Sequence, residues 1–78
     1  MSYFPYVYTT VASECQTEGF KYIGYGICVR DEMTGKQRLF RDISVRKREI
    51  DKLVKRCNAL KLDPVHIEDV IEDFLFDM

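Results

Sequence analysis

The sequence has 78 residues, with 12 basic and 13 acidic side chains and a formal net charge of −1, so one small domain is expected. It has no run of about 20 apolar residues, which excludes a membrane-spanning helix, and no signal-peptide pattern at its start, which favours a cytoplasmic protein. Cys15, Cys28 and Cys57 fit neither a zinc-binding spacing nor a disulfide framework, so free thiols are expected.

The first half of the chain predicts three strands, over residues 3–13, 20–29 and 36–41. The first is rich in aromatic and β-branched residues, which are typical of strands. Pro5 cannot donate a ladder hydrogen bond, so this strand lies at an edge or begins near Tyr6. The second has a continuous apolar face on alternate residues: Ile23, Tyr25, Ile27 and Val29.

Glycines mark the places where these strands must accommodate a neighbour or turn. Residues 14–19 are polar and end in glycine, which indicates a connection between the first two strands. Gly24 and Gly26 weaken the second strand, and we expect Tyr6 or Tyr8 of the first strand to lie across them.

The second connection is predicted at residues 31–35, as a short hairpin loop in which Gly35 takes a positive φ. The third strand then turns Leu39 inward. Ile43 stands where a hydrophobic staple begins, and Ser44 is the expected N-cap of the helix that follows.

That helix is predicted over residues 45–60, because apolar residues recur at three- and four-residue steps: Ile50, Leu53, Val54, Cys57 and Leu60. A second helix is predicted over residues 64–76. Asp63 can cap its first turn, and Pro64 suits the first helical position. Its apolar stripe is Ile67, Val70, Ile71, Phe74, Leu75 and Met78.

These elements predict a single α+β domain of order β-β-β-α-α. We expect a three-stranded antiparallel sheet with an antiparallel helical hairpin on one face, because the loop that joins the helices is short.

Charge is segregated along the second half of the chain. Residues 44–62 carry seven basic and two acidic side chains, whereas residues 63–78 carry six acidic and no basic ones. An antiparallel hairpin would place Arg46, Lys47 and Arg48 beside Asp73 and Asp77. Cations at the start of a helix and anions at its end interact unfavourably with the helix dipole, and each cluster would offset this effect for the other.

Clustered cations also allow a nucleic-acid-binding alternative, since phosphate contacts need them. The net negative charge and the adjacent acidic helix oppose it. The basic patch for this alternative is Arg46, Lys47, Arg48, Lys52, Lys55 and Arg56.

Neither an enzyme nor a metal protein is expected. His66, Asp69 and Asp73 share one helical flank, but no second histidine or suitably spaced cysteine joins them. No glycine-rich phosphate loop is present, because Gly24 and Gly26 lie inside a strand pattern. We therefore expect no cofactor.

The favoured hypothesis is a non-enzymatic protein-interaction module that associates with itself, because small domains gain stability from dimerisation and open sheet edges associate. The candidate interaction surface combines the aromatic first strand with the acidic helix face: Tyr3, Tyr6, Tyr8, Glu68, Asp69, Glu72 and Asp73.

Four segments of the chain are similar to those of a known protein family: Tyr22-x-x-Tyr25-Gly26-Ile27, Asp42-Ile43-Ser44, Cys57-Asn58 and Leu62-Asp63-Pro64-Val65-His66-Ile67-Glu68-Asp69-Val70-Ile71-Glu72-Asp73-Phe74-Leu75. On these segments the chain resembles a family of short proteins of unknown function from clostridia and related Gram-positive bacteria. The resemblance runs from about Tyr6 onward and implies a small cytoplasmic bacterial protein, with no activity, cofactor or catalytic residue to carry over.

Overall fold

Three consecutive antiparallel strands precede two helices in the structure, a computed structural model that describes residues 4–76. This confirms the predicted α+β class and the order of the elements. The arrangement of the helices as an antiparallel hairpin on one face stays a prediction. The elements are β1 (Tyr6–Thr17), β2 (Phe20–Asp31), β3 (Gln37–Ser44), α1 (Lys47–Ala59), a 3₁₀ turn (Pro64–His66) and α2 (Ile67–Phe76).

β1 and β2 form one long hairpin whose register runs unbroken from Tyr6 opposite Asp31 to Thr17 opposite Phe20. The prediction that residues 14–19 connect the strands is wrong, because strand pairing continues to Thr17. Only Glu18 and Gly19 form the turn, and both have positive φ (43° and 86°), as a tight two-residue hairpin turn requires.

The connection from β2 to β3 agrees with the prediction. Gly35 has a φ of 76°, and the Asp31 carboxylate accepts a hydrogen bond of 2.9 Å from the Met33 amide. β3 extends to Ser44, three residues beyond its predicted end, because the chain stays paired with β2 up to the contact between Ser44 and Tyr25.

A bulge interrupts the pairing of β2 with β3 between Tyr25 and Ile27. Gly26 is required there, since a Cβ atom at this position would overlap the Phe40 carbonyl oxygen. The prediction that Tyr6 or Tyr8 covers the strand glycines is therefore wrong. The first-strand tyrosines lie at the other end of the hairpin, where Tyr8 pairs with Val29.

One hydrophobic core joins the sheet to both helices. It consists of Tyr8, Ile27 and Val29 from the sheet, Ile50, Leu53, Val54 and Cys57 from α1, and Ile67 and Ile71 from α2. α1 packs across all three strands and most closely on β1.

Four apolar residues that were predicted to face inward are exposed instead. Leu75, in the last turn of α2, is one of them. Ile23 lies on the part of the hairpin that has no β3 residue beside it. Leu39 faces away from the core, because its neighbour Phe40 packs against the core and successive strand residues face opposite sides. Leu60 is the C-cap residue of α1, just beyond the last helical residue, and its side chain is exposed.

α1 begins later than predicted, and its N-cap is Arg46, which makes no side-chain capping hydrogen bond. The predicted cap, Ser44, is still paired with β2. Its hydroxyl accepts a hydrogen bond of 3.1 Å from the Arg46 amide, so it shapes the turn before the helix.

The closing segment begins as predicted, with the Asp63 carboxylate accepting a hydrogen bond of 3.0 Å from the Val65 amide. Its first turn is a 3₁₀ helix rather than an α-helix. α2 therefore spans Ile67–Phe76 instead of the predicted 64–76, and Met78 lies outside the described residues.

Candidate interaction surface

The outward side of α1 carries a line of cations. Ile50, Leu53, Val54 and Cys57 face the core. The 3.6-residue period therefore points Arg48, Lys52 and Lys55 away from the sheet, and all three are exposed. We call Arg48, Lys52 and Lys55 the basic ridge. None of them forms an ion pair within residues 4–76.

The other cations at the start of α1 have intrahelical partners. Arg46 lies 3.6 Å from Glu49, and the Lys47 ammonium lies 2.8 Å from Asp51. The hydrogen bond between Lys47 and Asp51 raises the pKa of the lysine and lowers the pKa of the carboxyl group. These two cations are thus neutralised locally, unlike the basic ridge.

α2 presents the opposite charge on its outward side. Ile67 and Ile71 are buried, which turns Asp69, Glu72 and Asp73 toward solvent, and all three are exposed. We call Asp69, Glu72 and Asp73 the acidic ridge. Like the basic ridge, it forms no ion pair within the part of the chain that the structure describes.

Glu68 differs from the other acids of α2, because it lies on the flank that faces β3. Its carboxylate pairs with the Arg38 guanidinium at 2.7 Å. Arg38 in turn lies over the Phe40 ring, 5.0 Å from the ring centroid, so this pair links α2 to the sheet.

Residues of both helices line a groove of about 540 Å³. Its apolar lining is Leu53, Val70 and Phe74, and its charged lining is Arg46, Glu49, Arg56 and Asp73. The length of α1 from Arg46 to Arg56 and the part of α2 from Val70 to Phe74 therefore border the same space. We call this space the interhelical groove.

The predicted pairing of basic α1 residues with acidic α2 residues is not among the ion pairs of residues 4–76. Arg46 and Asp73 both line the interhelical groove, but Arg46 pairs with Glu49 of its own helix. Asp77 lies outside the described residues. Within residues 4–76, neither ridge therefore has an ion-pair partner.

The aromatic part of the predicted surface is largely internal. The Tyr8 side chain is only 1% exposed, and its hydroxyl donates a 2.6 Å hydrogen bond to the Leu62 carbonyl. Burial raises the pKa of Tyr8 to about 12. Tyr6 packs against the core, and Tyr3 lies outside the described residues.

Asn58 of α1 covers the outer edge of β1 at Tyr8, a contact that is not among the predictions from the sequence. The Asn58 amide accepts a hydrogen bond from the Tyr8 N–H and donates one to the Tyr8 carbonyl, each 2.8 Å long. Fifty residues separate the partners, and no local pattern in the sequence signals the contact.

A second unanticipated cluster lies at the bulge of β3. The Tyr22 hydroxyl donates a 2.7 Å hydrogen bond to Asp42, which raises the pKa of Tyr22 to about 12. Gly24 leaves room for the Asp42 carboxylate and for the Cys15 sulfur. The cluster ties the hairpin to β3.

Residues 4–76 contain no assembled site for metal binding or thiol chemistry. No three His, Cys, Asp or Glu side chains there are close enough to hold a metal ion, so His66, Asp69 and Asp73 do not form such a group. Cys15, Cys28 and Cys57 are free, and burial raises the pKa of the Cys57 thiol.

The model of a family of unknown function (DUF6514) matches residues 2–77. The chain belongs to this family, and the predicted membership of a family of unknown function is confirmed. No curated protein and no solved structure matches the chain. Within residues 4–76, neither helix has the length and apolar character needed to cross a bilayer.

Proposed function

We propose that the chain is a small, non-enzymatic protein-interaction module that docks its partner on the outer side of α1 and α2. The observation that carries this proposal is the presence of two ridges of opposite charge on the outward sides of α1 and α2, neither of which forms an ion pair within residues 4–76. The interhelical groove lies between the two helices, and Leu53, Val70 and Phe74 supply the apolar part of its lining. An apolar centre with a polar rim is the usual composition of a protein interface.

The stability of the fold does not explain these ridges. Exposed charges add about 0–1 kcal/mol even when they are paired. Like charges three or four residues apart on a helix are mildly repulsive, and this spacing recurs within the basic ridge and between Asp69 and Asp73. The arrangement therefore supports recognition of a partner.

Exposed apolar side chains lie close to the acidic ridge. Phe76 is 89% exposed and Val65 is 71% exposed, and both are one helical turn from ridge residues. A partner on this surface would bury them, which would add a hydrophobic contribution to the electrostatic one.

Nucleic-acid binding is the second candidate, and the basic ridge is the observation that favours it. Arg48, Lys52 and Lys55 follow one line on α1, as contacts along a phosphate backbone would require. The acidic ridge on the neighbouring helix would repel the same backbone. A protein that carries both signs of charge suits the surface better.

We also propose that the module works in the cytoplasm. Its three thiols are free, which suits a reducing compartment. A secreted domain of this size would instead gain from disulfides.

Site-specific photo-crosslinking in the cells that naturally contain the protein tests this function. A photoreactive residue is placed at Lys52 or at Glu72, and a matched control places it at Lys21 on the exposed hairpin. We expect protein adducts from both helix positions and none from Lys21.

The remaining outcomes separate the alternatives. Nucleic-acid adducts from Lys52 without protein adducts would favour the second candidate. If neither helix position gave an adduct, or if Lys21 reacted as strongly, the proposed docking surface would be wrong.

A further inference from the structure

We infer that the partner on this surface is a second copy of the chain, with α1 of each copy lying on α2 of the other around a two-fold axis parallel to the helices. This inference rests on the proposed function and assigns the partner that the surface fits.

Charge complementarity is the first argument. Each copy carries three cations in the basic ridge and three anions in the acidic ridge, so each surface contains the complement of the other. The formal net charge of −1 leaves little long-range repulsion between two copies. A closed dimer would satisfy both ridges of both copies in one contact.

The charge pattern also selects the direction of the axis. A two-fold axis parallel to the helices places the basic ridge of one copy on the acidic ridge of the other. An axis perpendicular to the helices, in the plane of the contact, would place the basic ridge of one copy on the basic ridge of the other. The two acidic ridges would meet in the same way, and like charges would repel. Only the first arrangement is complementary.

The ends of the helices favour the same arrangement. Arg46 at the start of α1 and Asp73 near the end of α2 line one groove, as they would in the predicted antiparallel hairpin. Under the parallel axis, the start of α1 meets the end of α2 of the other copy. Arg48 then faces the acidic ridge near Asp73, and the dipoles of the two stacked helices are opposed.

Apolar contacts would form along the axis. The interhelical groove, with Leu53, Val70 and Phe74 in its lining, would face the same groove of the second copy. Phe76 lies on the outward side of α2 and is 89% exposed. The α1 helix of the partner copy would cover it.

The size of the surface sets the expected strength of the dimer. Thirteen residues make a helix of about 20 Å, and two adjacent helices are about 20 Å wide, so the footprint is roughly 400 Å² per copy. A standard interface buries about 800 Å² per partner. We therefore expect a weak dimer that exchanges with monomer and dissociates on dilution.

Sedimentation of the full chain at several concentrations provides the first test. The wild-type protein should dimerise in about 0.05 M NaCl, and the dimer should weaken roughly tenfold or more in about 0.5 M NaCl, because salt screens exposed charges. A monomer at every concentration in low salt would overturn the inference.

Charge reversal provides the second test, with two matched variants. One carries R48E, K52E and K55E, which makes both ridges acidic, and the other carries D69K, E72K and D73K, which makes both ridges basic. All six positions are exposed, so circular dichroism should show both variants folded. Each alone should lose dimerisation roughly tenfold or more, because like charges then meet.

An equal mixture of the two variants should form a heterodimer, since each acidic ridge then meets a basic one. A chain that carries all six reversals should dimerise again, because it restores complementarity with the signs exchanged. If the mixture stayed monomeric while the wild type dimerised, the copies would meet through another surface, and the inference would be wrong.

The inference of a dimer can be wrong while the proposed function is right. A monomeric wild-type chain whose helix positions still crosslink to another protein would retain the interaction module and exclude the second copy as its partner. If neither helix position crosslinks to any protein, the proposed function fails as well.

Discussion

α1 and α2 both contribute to the core, but they are attached to the sheet by different kinds of contact. Asn58 of α1 exchanges two hydrogen bonds with the Tyr8 backbone, and Asp51 accepts a 2.6 Å hydrogen bond from the Thr10 hydroxyl. Within residues 4–76, the ion pair of α2 with the sheet is Arg38 with Glu68, whose side chains are 55% and 64% exposed. The attachment of α1 is therefore the stronger one.

The two helices therefore have different roles in the fold. α1 buries four residues and α2 buries two, so α1 serves as the platform and α2 is the more easily displaced element. A partner that binds the outer sides of both helices would bind only molecules in which α2 is docked on the fold. It would therefore stabilise the docked position of α2 more than that of α1.

The largest expected effect comes from the apolar anchors of the two helices. Ile50→Ala removes a fully buried side chain of α1 and should lower the free energy of unfolding by roughly 3–4 kcal/mol, whereas Ile71→Ala in α2 should lower it by roughly 2 kcal/mol. Urea unfolding measures both. Ile50→Val, at about 1 kcal/mol, is the milder variant if Ile50→Ala does not fold. A larger loss of unfolding free energy from Ile71→Ala than from Ile50→Ala would show that α2, not α1, is the more firmly attached helix.

The polar attachment of α1 is tested by Asn58→Ala. This change leaves the N–H and C=O groups of Tyr8 without their partners, and we expect a loss of roughly 1–2 kcal/mol in the free energy of unfolding. Lys55→Ala, on the exposed side of the same helix, is the control and should change stability by less than about 0.5 kcal/mol. Equal effects would show that the Asn58 contact contributes nothing specific.

Tyr8→Phe removes the hydrogen bond to the connection between the helices and should lower stability by about 1 kcal/mol at neutral pH. The pKa of Tyr8 is raised from 10.0 to about 12 by burial, so the unfolded chain releases this proton first as the pH rises. Wild-type stability should therefore fall between about pH 10 and 12.

This alkaline loss should be smaller in Tyr8→Phe, as urea unfolding at several pH values would measure. Tyr22→Phe serves as the comparison, because the pKa of Tyr22 is also raised to about 12, through its hydrogen bond to Asp42. An unchanged pH profile in Tyr8→Phe would contradict the assigned role of the buried phenol.

The smallest effect is expected at the polar attachment of α2. A double-mutant cycle with Arg38→Ala and Glu68→Ala should give a coupling energy below about 0.5 kcal/mol that falls further with salt, because both side chains are largely exposed. A coupling above about 1 kcal/mol would show that α2 is held as firmly as α1.

Local signals in the sequence predicted the order of the elements and several of their ends. Asp63 was identified as a cap, and Gly35 was placed at the loop residue with positive φ. The extension of β1 to Thr17 was missed, because the far end of the hairpin has no third strand beside it and its polar residues resemble a loop. The bulge at Asp42 was missed for a related reason, since it depends on the approach of β3 to Gly26.

The candidate surface was predicted in part. Charge and helical periodicity identified the acidic and basic faces, since both properties are local. The depth of Tyr8 was not predictable in this way, because Asn58 and Leu62, which enclose it, lie 50 and 54 residues further along the chain. Such long-range contacts decided which aromatic side chains became internal.

The contacts of Tyr8 also bear on aggregation. Asn58, 50 residues further along the chain, covers the hydrogen-bonding edge of β1 at Tyr8. If the helices detach while the sheet persists, this edge opens, and an open strand edge is prone to pair with other chains. Detachment of the helices therefore exposes the protein to aggregation before the sheet itself unfolds.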